Sequence, residues 1–78
     1  MPTVLRVGAA RFFFYSNEGS EPPHVHVERG DGFAKFLLQP VGSACSGRLR
    51  GHELRHLEHL VPEHSLEFLE AWRDFFRA

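Results

Sequence analysis

Pro22-Pro23-His24-Val25-His26-Val27-Glu28-Arg29-Gly30-Asp31-Gly32-Phe33-Ala34-Lys35-Phe36-Leu37-Leu38-Gln39 decides how this chain folds. On its first side Val25 and Val27 alternate with His24, His26 and Glu28. On its second, Ala34, Phe36 and Leu38 alternate with Lys35, Leu37 and Gln39. A period of two belongs to a half-buried strand. The centre, Arg29-Gly30-Asp31-Gly32, holds residues that tolerate the positive φ of a tight hairpin. Strands are therefore expected over 24–28 and 33–39, antiparallel and adjacent.

Toward the N-terminus the same period continues. Residues 11–16 place Arg11, Phe13 and Tyr15 on one side and Phe12, Phe14 and Ser16 on the other. Aromatics on both sides suit an inner strand. Residues 4–7 form a short run with β-branched Val4 and Val7, closed by Gly8-Ala9-Ala10, and 17–23 is a polar loop that Pro22-Pro23 stiffens at its exit. Four sequential strands with short links predict an antiparallel meander over about 3–39.

Toward the C-terminus the period changes. Residues 40–51, rich in Gly and Ser, read as a break without a sustained pattern. Leu54, Leu57, Leu60 and Val61 then fall within roughly 120° of a helical wheel. Phe68, Leu69, Trp72, Phe75 and Phe76 form a second stripe. Helices are expected over about 50–61 and 63–77, with Pro62 accepted in the first turn of the second. The expected class is α+β. A four-stranded antiparallel meander precedes two C-terminal helices in a single domain, 1–78, at least the last helix covering one sheet face.

Composition removes several function classes. Of 78 residues, 42% are hydrophobic and 24% charged, which suits a folded chain rather than a disordered one. Nine Lys and Arg against ten Asp and Glu leave a formal charge of −1, so global charge calls for neither nucleic acid nor an anionic membrane. No apolar run approaches the roughly 18 residues of a membrane span, nor is there a secretory hydrophobic region. One cysteine, Cys45, builds no disulfide framework and points to a reducing cytosol. Eight Phe and six His are what stand out.

The histidines of Pro22-Pro23-His24-Val25-His26-Val27-Glu28 carry the chemical interest. Side chains at i and i+2 of a strand share a face, about 6–7 Å apart. Two imidazoles so placed could share acid–base work, or bind a divalent metal with Glu28 next in the row. They could equally be the polar face of a hairpin, bonded to backbone or solvent. Arg11, Tyr15 and Lys35 would add phosphate-binding cations and a stacking ring if the register brings them to that face. Otherwise they are charges and a ring that keep a small sheet soluble. His52, Arg55, His56 and His59 share the polar stripe of the first helix, either as a solvated face or as a partner surface. No residue pattern calls for a cofactor, and no metal is expected; His24, His26 and Glu28 are the ligands if one is present.

Several separated blocks carry a family resemblance. They are Met1-Pro2-Thr3-Val4-Leu5-Arg6, Arg11-Phe12-Phe13-Phe14-Tyr15-Ser16-Asn17, Glu21-Pro22-Pro23-His24-Val25-His26-Val27, Ala34-Lys35-Phe36 and Leu69-Glu70-Ala71-Trp72. Together they resemble a small prokaryotic family catalogued as a domain of unknown function, family 4160. Leu37 and Gln39 depart from it, a Trp and an acid being commoner there. The resemblance implies a bacterial cytoplasmic protein, often encoded beside another small protein in an arrangement like a toxin–antitoxin pair. It implies no activity and no catalytic residues. Histidine-triad nucleotide hydrolases fit less well, because Glu28 stands where their third histidine would be.

The leading expectation is one component of a toxin–antitoxin-like module, binding a cognate small protein encoded nearby and RNA as a further ligand. The alternatives are a small ribonuclease or nucleotide-directed hydrolase using His24 and His26, with Lys35 or Arg11 on the phosphate, and a zinc- or nickel-binding protein using His24 and His26 with Glu28 or a helical histidine. A homodimer sharing aromatic surface would suit so short a chain.

Overall fold

The computed structural model describes residues 3–77; positions 1, 2 and 78 of the expected domain lie outside the described residues. In chain order the elements are β1 (Thr3–Val7), β2 (Ala10–Phe13), a 3-10 turn (Ser16–Glu18), β3 (His24–Arg29), β4 (Gly32–Leu38), β5 (Val41–Gly47), α1 (Gly51–Glu63) and α2 (Ser65–Phe75). The class is α+β with two C-terminal helices, as expected. The strands form one antiparallel sheet in sequential order, β1-β2-β3-β4-β5. Gly8 turns the β1–β2 hairpin and Gly30 the β3–β4 hairpin, at φ +56° and +57°, a region that glycine enters without strain.

Among the described residues the sheet has five strands, not four. The fifth covers most of the segment expected to be a break. Its sequence, Val-Gly-Ser-Ala-Cys-Ser-Gly, holds no large side chain apart from Val41, and none of its residues is buried. It pairs with β4 from Phe33↔Gly47 to Leu38↔Val41, shifting register between Lys35 and Phe36. A Cβ on Gly47 would come within 2.5 Å of the Phe33 ring, so the glycine lets that ring lie across the strand pair. Backbone pairing to an established neighbour, rather than a hydrophobic pattern, makes this edge strand.

Helix boundaries move for local reasons. Pro62 lies in the last turn of α1 rather than the first turn of α2, and the chain breaks at His64 instead. At the start of α1, the Arg50 backbone N–H donates to Glu53 Oε1 at 2.8 Å, half of a capping box. The other Glu53 oxygen lies 3.3 Å from Arg29 Nε, tying the helix to the end of β3. Of the second aromatic stripe, Phe68, Leu69 and Trp72 are buried while Phe75 is exposed.

Both helices cover the same side of the sheet. Phe12, Val25, Val27, Ala34, Phe36 and Leu38 meet Leu57, Leu60, Val61, Phe68, Leu69 and Trp72 in one core. Phe12 and Phe68 lie 5.2 Å apart between ring centroids. Burying a Phe or Leu contributes about 1.5–3 kcal/mol each. Neither helix could persist alone at this length. Among the described residues, no helix lies on the opposite side of the sheet.

Candidate functional site

Register decides what the uncovered face displays. Phe13 pairs with His26, and His26 with Lys35; Arg11 pairs with Glu28, and Glu28 with Phe33; His24 pairs with Leu37. Directly opposed residues in an antiparallel pair share a face. Arg11, Phe13, His26, Glu28, Phe33, Lys35 and Leu37 therefore lie together, with Cys45 beside Lys35 on β5. Arg11, Tyr15 and Lys35 do come to the face that carries the histidines. The Arg11 guanidinium stands 4.5 Å over the Phe13 ring, and Tyr15 meets His26 edge-on at 4.6 Å. Phe13, only 4% exposed, is buried by these polar neighbours.

The second strand ends at Phe13, and that early end builds the site. Phe14 instead enters the helical layer, 5.3 Å from Trp72. The chain then folds back through the 3-10 turn, placing Glu18 above β3. Gly19 lets the loop pass close to the end of α2, since a Cβ there would come within 2.5 Å of the Phe76 ring. His24 lies beneath this loop, 1% exposed, with its ring 4.9 Å from Trp72 and 5.0 Å from His26.

Three side chains converge there. His24 Nε2 lies 2.8 Å and His26 Nε2 2.6 Å from the same oxygen, Oε1 of Glu18. His24 Nδ1 lies 2.9 Å from the Pro22 carbonyl oxygen. Partial burial pushes the Glu18 carboxyl up, but hydrogen bonds to the two imidazoles and their charge outweigh it. Glu18 titrates below its ordinary value. Among the described residues this is the only group of three side chains whose metal-capable atoms converge.

Glu28 does not join the histidines. It accepts from Arg11 Nη1 at 2.8 Å, on the row one pair further along. Lys35 donates to Glu21 at 3.0 Å, and that hydrogen bond raises its pKa. Of the two imidazoles, only His26 reaches solvent, with 16% of its side chain exposed. His52, Arg55, His56 and His59 are all exposed on the outer side of α1, away from this cluster. A separate depression of about 420 Å³ lies between β1 and the end of α2, lined by Thr3, Val4, Phe14, Ala71, Asp74 and Phe75. It contains none of the titratable cluster.

Sequence reasoning missed Glu18. It precedes His24 by six positions across an irregular loop, where no spacing rule applies. The available signal was the stiff Pro22-Pro23 exit, which turns that loop back over the strand it leads into.

A family model described as a domain of unknown function, DUF4160, matches residues 10–73, leaving the opening block 1–6 outside the match. No curated protein and no solved structure matches the chain.

Proposed function

Since the chain belongs to the DUF4160 family, which is defined by sequence and not by an activity, we propose that it works by binding a second small protein across its open sheet face. In this reading it is one half of a toxin–antitoxin-like module in the reducing cytosol. The observation that supports it is an uncovered face whose apolar groups are exposed while its charges are already paired. Tyr15 is 38%, Phe33 50% and Leu37 37% exposed. Arg11 is neutralised by Glu28, and Lys35 by Glu21. Exposed aromatics beside an arginine are the composition of protein interfaces. Nucleic-acid affinity, by contrast, follows the number of cations free to replace counterions. That contrast favours a protein over RNA as the occupant.

The test is co-expression with whichever small protein an adjacent gene encodes. Phe33→Glu and Leu37→Glu should each weaken the complex at least tenfold, with melting curves verifying that both variants fold. A complex indifferent to both changes would sink the reading. So would a second copy of this chain occupying the face, or tight binding of single-stranded RNA that Lys35→Glu removes.

The convergence on Glu18 favours a second reading, hydrolysis of a phosphodiester. His24 has both nitrogens engaged and almost no exposure, so acid–base work would fall to His26, with Lys35 and Arg11 offsetting phosphate charge. On this reading His26→Ala costs at least about a hundredfold in turnover. Unchanged hydrolysis of RNA or nucleotide substrates by the folded variant would rule it out.

A further inference from the structure

The proton count at His24 does not close with one neutral ring. Its Nδ1 faces the Pro22 carbonyl, which can only accept, so the ring's N–H must lie there. A neutral imidazole has no second N–H. Nε2 then aims a lone pair at Glu18 Oε1, 2.8 Å away, and His26 Nε2 stands 2.6 Å from the same oxygen. Whatever holds these atoms together is positive. One added proton meets this need, with His24 doubly protonated and His26 donating through its Nε2–H; a divalent metal ion meets it by replacing those protons and taking all three atoms as ligands.

We infer that Glu18, His24 and His26 form a binding site for a divalent transition-metal ion, with zinc as the ion of best fit. Two imidazoles and one carboxylate are a known zinc donor set, and three protein ligands leave one position for water or an anionic oxygen. Donation of the far ring N–H to a backbone carbonyl is the usual support of a metal-ligating histidine, since it fixes the tautomer and aims Nε2. Pro22 supplies that carbonyl. The rings are also packed: His24 against Trp72, and His26 between Phe13 at 5.6 Å and Tyr15 at 4.6 Å.

Tetrahedral donors about 2.0–2.1 Å from zinc stand roughly 3.3 Å apart. The carboxylate must therefore retreat by about half an ångström. Glu18 sits in a loop and can make that shift; the three donor atoms lie within 4.8 Å of one another, so closing on an ion also turns the half-open His26 ring toward His24. With 20% of its side chain exposed, Glu18 leaves a route for the ion. The histidines of α1 lack all of this. His52 and His56 have suitable helical spacing, but both are exposed and neither ring has a hydrogen-bonded partner among the described residues.

This inference is independent of the partner reading, because the face can bind a protein with or without an ion at one end. It is tested on untagged protein stripped with chelator and titrated calorimetrically with zinc alone. One equivalent should bind. Glu18→Gln and His26→Gln should each weaken binding at least tenfold, whereas a His52→Gln, His56→Gln, His59→Gln triple variant should bind as the parent does. Zinc should also raise the melting temperature of the parent and the triple variant, but not of Glu18→Gln. His24→Ala is a poor probe, since it empties the contact with Trp72. Absence of saturable binding would overturn the inference. So would binding that survives Glu18→Gln, or that disappears with the α1 histidines.

Discussion

The two faces of one sheet are built from alternate residues of the same strands, yet they are specified by different physics. On the covered face Phe12, Val25, Val27, Phe36 and Leu38 need only be apolar and of fitting volume. On the open face nearly every residue has a particular partner: Arg11 with Glu28 and Phe13, Lys35 with Glu21, His26 with Glu18 and Tyr15. The covered face supplies stability. The open face supplies geometry, and it is where chemistry or recognition can reside.

The largest break in this contrast is on the covered side. Phe12→Ala should cost about 3–5 kcal/mol in urea denaturation. A chain of this length has only about 4–12 kcal/mol in total, so the variant should melt near room temperature or not fold. Next comes the boundary between the faces. His24→Ala should cost about 2–3 kcal/mol, because it removes a packed ring and leaves the Pro22 carbonyl and Glu18 without their partner. His26→Ala, on the half-open ring, should cost less than half as much. Equal losses would erase the distinction between a support and a working residue. On the open side, Leu37→Ser should change stability by no more than about 0.5 kcal/mol.

The smallest effect sharpens the contrast through pH. The Arg50 backbone N–H, followed by the nearby cations, holds the Glu53 carboxyl below its ordinary value of 4.5. A depressed folded-state pKa contributes stability above the unfolded value and loses it as pH falls through the folded one. Thermal melts of the parent should therefore fall more steeply below pH 4.5 than those of Glu53→Gln. Parallel curves would remove the carboxylate's role in starting α1.

What the sequence disclosed follows the same division. The β3–β4 hairpin was legible because its alternation and its Gly-Asp turn agree. The helices were legible because Leu57, Leu60, Val61, Phe68 and Trp72 keep a helical period. The fifth strand was not, since Val41–Gly47 carries too little apolar surface to show a pattern, and its pairing comes from β4. The site was half legible. Strand parity put His24 and His26 on one face, but parity also offered Glu28 as their carboxylate. The β2–β3 register gives Glu28 to Arg11, and the loop brings in Glu18.

Nitrogen-15 NMR of the imidazole rings in the metal-free protein tests the central claim most directly. His24 Nε2 can serve as a ligand beside Glu18 and His26 only if the neutral His24 ring carries its proton on Nδ1, bonded to the Pro22 carbonyl. The expected spectrum shows Nδ1 protonated, its hydrogen protected from exchange. A His24 ring with a bare Nδ1 and its proton on Nε2 would contradict the account, because the lone pairs would then point away from one another.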